Sequence, residues 1–234
     1  KILTPKHKKL IKKNMSQARK NRFEGLINFC KKNNVLHLFL GHHSDDNVET
    51  YLIRKINGSN FEGLGSMQEI TYYKNLQILR PFLNVSKESI LKFNKRKKLI
   101  FLRDPSNEDI NYTRVKVRNF LQIKKYKKLV TNDFKIIKKK IPLYKNMIWS
   151  SFIETLIDVK PKIIKLNIKA LLKFDDLVLE RIILVSLKFF SDQNFQVRSS
   201  KIEIFIGELK KSSFKFFKLS NVLITKRDDF LVFS

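Results

Sequence analysis

The sequence predicts an α/β fold, a partial Rossmann-like parallel sheet followed by a mostly helical linker and a small α+β domain. Three observations carry this. A short apolar run, Val35 to Leu40, stands between two stretches patterned as helices. A second strand-like run, Leu76 to Leu83, is followed by another helical stretch. The last seventy or so residues, roughly a small domain's worth, change to short apolar runs separated by turn residues. Helix, buried strand, sharp turn and helix in sequence is the rhythm of a parallel sheet with crossover helices.

Each element has a local reason. Residues 6–32 read as helical, with Leu10, Ala18, Leu26, Ile27 and Cys30 set among basic residues, and Asn14 or Ser16 as a cap for the second part. Val35 to Leu40 is too short for a typical helix and reads as a buried strand ending at Gly41. Ser44-Asp45-Asp46 opens a helix to about Ile56, and Asn57-Gly58-Ser59-Asn60 breaks it. Leu76 to Leu83 is a strand with Pro81 near its end. Ser86 caps a helix to Lys98. Asp104-Pro105-Ser106-Asn107 is a turn, and Asn111 to Leu121 is helical. From Lys124 to Lys145 runs a Lys-rich helical connector, stopped locally by Pro142. The domain boundary is expected near residue 124, giving domains 1–124 and 125–234. Beyond it, Ile163 to Leu172 is a strand and Asp175 to Phe190 a helix. Val197 to Leu209 is a helix capped by Ser199 or Ser200. Phe214 to Leu219, Val222 to Lys226 and Phe230 to Phe233 are strands.

Composition narrows the function classes. Lys plus Arg number 49 against 21 acidic residues, a net of +28, and a field that positive attracts polyanions such as nucleic acid. An AT-rich coding bias toward Lys, Asn, Ile and Phe is the bland alternative. The single cysteine, Cys30, excludes an internal disulfide and a cysteine zinc cluster, and its apolar neighbours make it core filler. No apolar run is long enough to span a bilayer, so no membrane partner is expected, and a reducing, cytoplasmic setting fits.

The densest polar cluster is His42-His43-Ser44-Asp45-Asp46-Asn47-Val48-Glu49, at the end of a strand and the start of a helix. Ligands bind at that edge of open α/β sheets, where helix N-termini offer N–H groups. The same residues also fit plain capping: Asp45 and Asp46 in a first turn complement the dipole, and Asp46-x-x-Glu49 has capping spacing. A metal site is a further reading, but adjacent histidines on an extended strand point to opposite faces, so no metal ligand is assigned.

Five stretches occur in one family's order. They are Ala18-Arg19-Lys20-Asn21-Arg22-Phe23, then Gly41 through Thr50, then Asn57 through Met67, then Arg80-Pro81-Phe82-Leu83, and finally Asp104 through Asp109 with Tyr112, Arg114 and Arg118. Together they resemble the tRNA(Ile)-lysidine synthase family, whose fold is that of the N-type ATP pyrophosphatases of the PP-loop superfamily (adenine nucleotide alpha hydrolase-like). The resemblance is strong through residues 16–118 and reaches the end, where Leu219 to Phe233 looks like the close of the substrate-binding domain.

The resemblance implies a ligase that uses ATP and Mg²⁺. ATP adenylylates the C2 oxygen of the wobble cytidine in tRNA(Ile) with a CAU anticodon, and the side-chain amine of free L-lysine then displaces AMP. Catalytic roles fall on Asp46, Glu49, Arg114 and Arg22. Asp46 and Glu49, one turn apart on one face, suit the grip on lysine's ammonium, and one suits the general base. Arginine suits phosphate. Nucleotide-binding roles fall on His42, His43, Asp45 and Arg118. A homodimer is a further expectation from the family. Lys92, Lys95, Arg96, Lys97 and Lys98, with the Lys124–Lys128 and Lys135–Lys140 runs, would track tRNA phosphates.

Two departures stand out. Asn60 replaces a glycine of the Gly-rich loop, and Asn tolerates left-handed backbone. The Ser-Gly-Gly-x-Asp-Ser phosphate loop is not found in residues 1–234. With Lys1 rather than Met at the start, the expectation is an N-terminally truncated copy that does not bind ATP productively by itself. The alternatives are a non-catalytic tRNA-binding fragment and a metal-dependent hydrolase.

Overall fold

A computed structural model describes residues 15–73, 75–100, 112–190 and 197–234. The expected cap at Asn14 and the turn at Asp104-Pro105-Ser106-Asn107 lie outside the described residues. The chain divides into two compact units, Lys1–Lys138 and Lys139–Ser234.

The first unit opens with α1, Met15–Lys32, followed by β1, His37–Phe39. The next helix, α2, Ser44–Ile56, starts where the Ser-Asp-Asp signal places it. A single 3₁₀ turn, Gly63–Gly65, interrupts the loop before β2, Ile70–Tyr73, and β3, Leu76–Leu79. Pro81 follows, and β3 ends short of it. Helix α3, Lys87–Arg96, is capped as expected: the Ser86 hydroxyl accepts from the Ser89 N–H at 3.1 Å. Helix α4, Thr113–Phe120, leads into α5, Lys124–Thr155.

The sheet order is β1-β3-β2. Strands β1 and β3 are parallel, with Leu38 opposite Ile78, and α2 lies in the crossover between them. Strand β2, which has no clear sequence signal, adds an antiparallel edge. Two apolar seams hold this unit together. Ile27 and Cys30 of α1 pack with Leu76 and Ile78. Val48 and Tyr51 of α2 pack with Val117, Leu121, Val130 and Phe134 of α4 and α5.

The expectation of a buried β1 is corrected. Leu36 and Phe39 are 61% and 66% exposed. Among the described residues the strand pairs with β3 alone, and Leu38 and Leu40 are the residues that turn to the α1 seam. A strand in a doubly covered sheet needs apolar residues on both faces, and among the described residues this one is the outermost of its sheet.

The expected stop at Pro142 is also corrected, because α5 runs through it to Thr155. A proline there removes the N–H that would bond the Lys138 carbonyl, a cost of about 3 kcal/mol in a helix interior. Buried Ile141, Ile148 and Phe152 hold the helix together regardless. The two compact units divide at that weakened turn, between Lys138 and Lys139.

The second unit adds a five-stranded antiparallel sheet. Its strands are β4, Leu156–Lys160; β5, Ile163–Asn167; β6, Phe216–Leu219; β7, Val222–Arg227; and β8, Phe230–Phe233. Their order is β4-β5-β8-β7-β6. Strand β4 was not foreseen. Ser220 and Asp228 take positive φ in the turns that join the last three strands. Helices α6, Ile168–Leu171, α7, Asp176–Lys188, and α8, Ser199–Leu209, complete the unit. The Asp175 side chain caps α7. Neither Ser199 nor Ser200 caps α8, whose N-cap is Arg198 with no side-chain bond. The alternation of β5 turns Ile164 and Leu166 into one core with Leu179, Ile183, Phe205 and Phe233.

That burial predicts a sharp contrast between two leucines. Leu166→Ala removes a fully buried side chain and should cost about 2–5 kcal/mol in urea unfolding. Leu177→Ala, at a position 75% exposed, should stay within about 0.5 kcal/mol. Equal shifts would contradict the packing described.

Candidate functional site

The start of α2 is closed by a reciprocal cap. The His43 Nδ1 accepts from the Asp46 N–H at 3.2 Å, and the His43 N–H donates to Asp46 Oδ2 at 3.1 Å. The other ring nitrogen, Nε2, lies 3.3 Å from Asp46 Oδ2. A histidine is not among the usual N-cap residues, which is why the capping reading pointed to Asp45, Asp46 and Glu49 instead.

One turn along, Glu49 is buried, with its side chain only 5% exposed. Arg114 donates from Nε to Glu49 Oε2 at 2.8 Å, and Arg118 donates from Nε to Glu49 Oε1 at 2.8 Å. Arg118 Nη2 adds a bond to Oε2 at 3.2 Å. Arg114 also reaches Asp46 Oδ1 from Nη2 at 3.1 Å. A charge buried to this degree is tolerated only when paired and hydrogen-bonded. The spacing of Arg114 and Arg118 places both on one face of α4, so one carboxylate engages both. The Glu49 hydrogen bond, the largest influence on Arg118, holds its guanidinium above its ordinary value.

Asp45 points elsewhere. Its Oδ2 accepts from the Lys87 N–H at 2.8 Å, at the first residue of α3, and its Oδ1 pairs with Lys127 of α5. Burial pushes the Asp45 carboxyl up, but the Lys127 bond, the Lys87 N–H and the nearby positive charges outweigh it and leave the group below its ordinary value.

The glycine-rich loop is tied to α2 by side chains. Buried Asn47 exchanges two bonds with the Met67 backbone, donating to its carbonyl at 3.2 Å and accepting from its N–H at 2.8 Å. Arg54 donates to the carbonyls of Gly63 at 2.6 Å and Ser66 at 3.2 Å. The expected left-handed residue at Asn60 is corrected, because the positive φ values fall on Gly58 and Ser66. Asn60 instead bonds its Oδ1 to the Gly63 N–H at 2.8 Å. A Cβ at position 63 would stand 3.2 Å from that oxygen, which explains the glycine. Neither Asn47 nor Arg54 was singled out from the sequence. Their signal was a buried amide and a long cation on the helix face next to a Gly-rich loop.

Asp46, Glu49, Arg114 and Arg118 therefore meet in one network, and His43 joins it through Asp46. His42 is half-buried at the end of the β1 segment. Arg22 stands exposed on α1, outside the network. Asp45, Asp46 and Glu49 are all held by protein groups. Among the described residues no cluster of three or more His, Cys, Asp or Glu is placed to hold a metal ion. As arranged, these carboxylates do not fit Mg²⁺. Arg114 spends Nε and Nη2 on carboxylates, while Nη1 has no protein partner among the described residues.

Residues 4–124 match the family model described as the PP-loop domain. The chain belongs to the PP-loop domain family. The motifs read between Ala18 and Arg118 lie inside the matched stretch, and the resemblance they carry is borne out. This PP-loop domain is 40% identical over 115 residues to a tRNA(Ile)-lysidine synthase of Wolbachia pipientis wMel, covering 49% of the chain and 27% of that relative. It is 37% identical over 116 residues to a tRNA(Ile)-lysidine synthase of Orientia tsutsugamushi (strain Boryong), covering 50% and 26%. A third, from Francisella philomiragia subsp. philomiragia, is 40% identical over 105 residues, covering 44% and 26%. The matched stretch spans about a quarter of the length of these curated relatives. No helix among the described residues is long and apolar enough to cross a membrane.

The Asp45 clamp predicts a pH dependence. Its folded pKa lies below the unfolded value near 3.8, so its contribution is present above that pH and lost as pH falls through the lower folded value. Asp45→Asn should cost about 1–2 kcal/mol at pH 7, with the gap to wild type closing in acid. Thermal melts from pH 7 down to pH 3 measure that gap, and a constant gap would contradict the clamp.

Proposed function

We propose that this chain carries the PP-loop domain of a tRNA(Ile)-lysidine synthase, a ligase that joins lysine to the wobble cytidine of a tRNA(Ile) with a CAU anticodon. The observation that supports it best is the Glu49 network. A buried carboxylate orients two arginines beside Asp46 at the N-terminal edge of α2, inside the stretch similar to the named synthases.

ATP supplies the adenylyl group: the C2 oxygen of cytidine attacks its α-phosphorus and pyrophosphate leaves. The lysine amine then attacks C2, AMP departs with that oxygen, and the amine proton is lost. The chain's residues take these roles. Glu49 is a positioning residue, with both oxygens committed to Arg114 and Arg118. Arg114 offers Nη1 to the phosphate of the adenylate, where negative charge must be held as AMP leaves. Asp46 is the carboxylate available to the lysine ammonium, which competes with Arg114 for Oδ1. His43 keeps Asp46 in place through the cap. Arg22, His42, Asp45 and Arg118 keep the roles implied by the resemblance, with Asp45 also acting as the tie between α2, α3 and α5. The exposed lysines of α3 and of the start of α5 supply the phosphate-tracking surface. A cytoplasmic setting suits this substrate.

Labelled lysine, ATP and tRNA(Ile) with a CAU anticodon, incubated with the protein purified from its own cells, test the proposal. The expected result is ATP-dependent label on the tRNA, with AMP and pyrophosphate formed in equal amounts and a loss of at least about a hundredfold in Arg114→Ala. Absence of label from the wild-type protein would overturn the reading.

A further inference from the structure

Between α4 and α5 the chain presents an aromatic pair to solvent. Phe120 closes α4 and Tyr126 lies in the first turn of α5. Their rings are stacked, with centroids 4.6 Å apart and planes 3° from parallel. The two residues are 43% and 39% exposed. Residues 122–129 are all exposed. Lys124, Lys125, Lys127 and Lys128 flank Tyr126, and no acidic residue occurs between Tyr112 and Asn132. Lys127 bonds Asp45, which follows the His43 cap by two residues, so the patch adjoins the Glu49–Asp46 network.

Stacking on one another gains the two rings a modest stabilisation, yet both residues stay open to water. A nucleobase fits such a pair, because every base has a π face and adds to a prealigned stack with little further ordering. Lysines on either side of such a platform match the phosphates that flank an unpaired base. Paired bases keep their faces within the duplex and offer only phosphates. Resting on the reading of this chain as a tRNA-modifying domain, we propose that Phe120 and Tyr126 form a stacking platform for an unpaired RNA base neighbouring the one brought to the α2 site, with Lys124, Lys125 and Lys128 on the adjoining phosphates.

Fluorescence anisotropy with the full chain tests this. The probes are an end-labelled RNA hairpin with CAU in its unpaired loop and a fully paired RNA duplex of the same length. Tyr126→Ala should weaken hairpin binding by about tenfold to a hundredfold while leaving duplex binding and the salt slope unchanged. Lys125→Ala should weaken both and reduce the salt slope by about 1. If Tyr126→Ala binds the hairpin as wild type does, the platform is wrong and the proposed function stands. If wild type binds neither RNA, both fall. If Tyr126→Ala disperses a dimer in sedimentation and leaves RNA affinity unchanged, the pair is a protein interface and the proposal fails. A second variant guards against misfolding. Tyr126→Trp in a Trp149→Phe background makes the new indole the chain's single tryptophan. The hairpin should quench its emission and the duplex should not, whereas unchanged emission with the hairpin would overturn the platform.

Discussion

A buried glutamate sets the local architecture of the first unit. Glu49 gives up its hydration, and among the described residues the two guanidinium groups from α4 compensate for it. Because Arg114 and Arg118 stand one turn apart, that single charge fixes both the rotation and the distance of α4 against α2. The apolar seam of Val48, Tyr51, Val117 and Leu121 then closes beside the ion pairs. Hydrophobic contact alone would allow the two helices to slide, and the fork geometry of arginine on carboxylate does not.

The rest of the site follows from α2 in the same way. Asn47 and Arg54 hold the glycine-rich loop. Asp45 holds α3 and α5. Farther along, Asp133 of α5 accepts from the Tyr51 hydroxyl at 2.6 Å and pairs with Lys55. The Lys55 bond, the larger influence, and the Tyr51 bond hold the Asp133 carboxyl below its ordinary value. Within the His-His-Ser-Asp-Asp-Asn-Val-Glu stretch, Asp45, Asn47 and Glu49 thus each tie α2 to a different part of the unit, and Asp46 shares Arg114 with Glu49. Such an arrangement leaves few side chains free to drift, the pre-organisation that the proposed reaction needs.

Local signals were readable from the chain. The start of α2, the Ser86 cap, the helix that opens after Asp175 and the burial of Cys30 each depend on neighbours a few residues away. Features that depend on distant partners were not. Glu49 meets arginines more than sixty residues later, and nothing in the helix pattern says which cations it will take. Pro142 breaks a helix by local rules, yet the buried residues on both sides of it keep α5 continuous. The apolar run at β1 has the composition of an interior strand, and only the sheet order shows it outermost among the described strands. Asn60 was a reasonable candidate for left-handed backbone, but its side chain found the Gly63 N–H, and the strained conformation moved to Ser66. The motif order carried the family, and the geometry assigned the carboxylates their partners.

A double-mutant cycle on Glu49 and Arg118 tests the central constraint most directly. Glu49→Gln, Arg118→Gln and the double variant are compared with wild type by urea unfolding. If the buried carboxylate depends on its arginines, each single change breaks the Glu49–Arg118 pair and leaves the other member short of a partner, and the double variant is more stable than the sum of the singles predicts, with a coupling of about 1–3 kcal/mol. Strict additivity would mean that the two residues do not depend on one another, and the account of how α2 and α4 are held would be wrong.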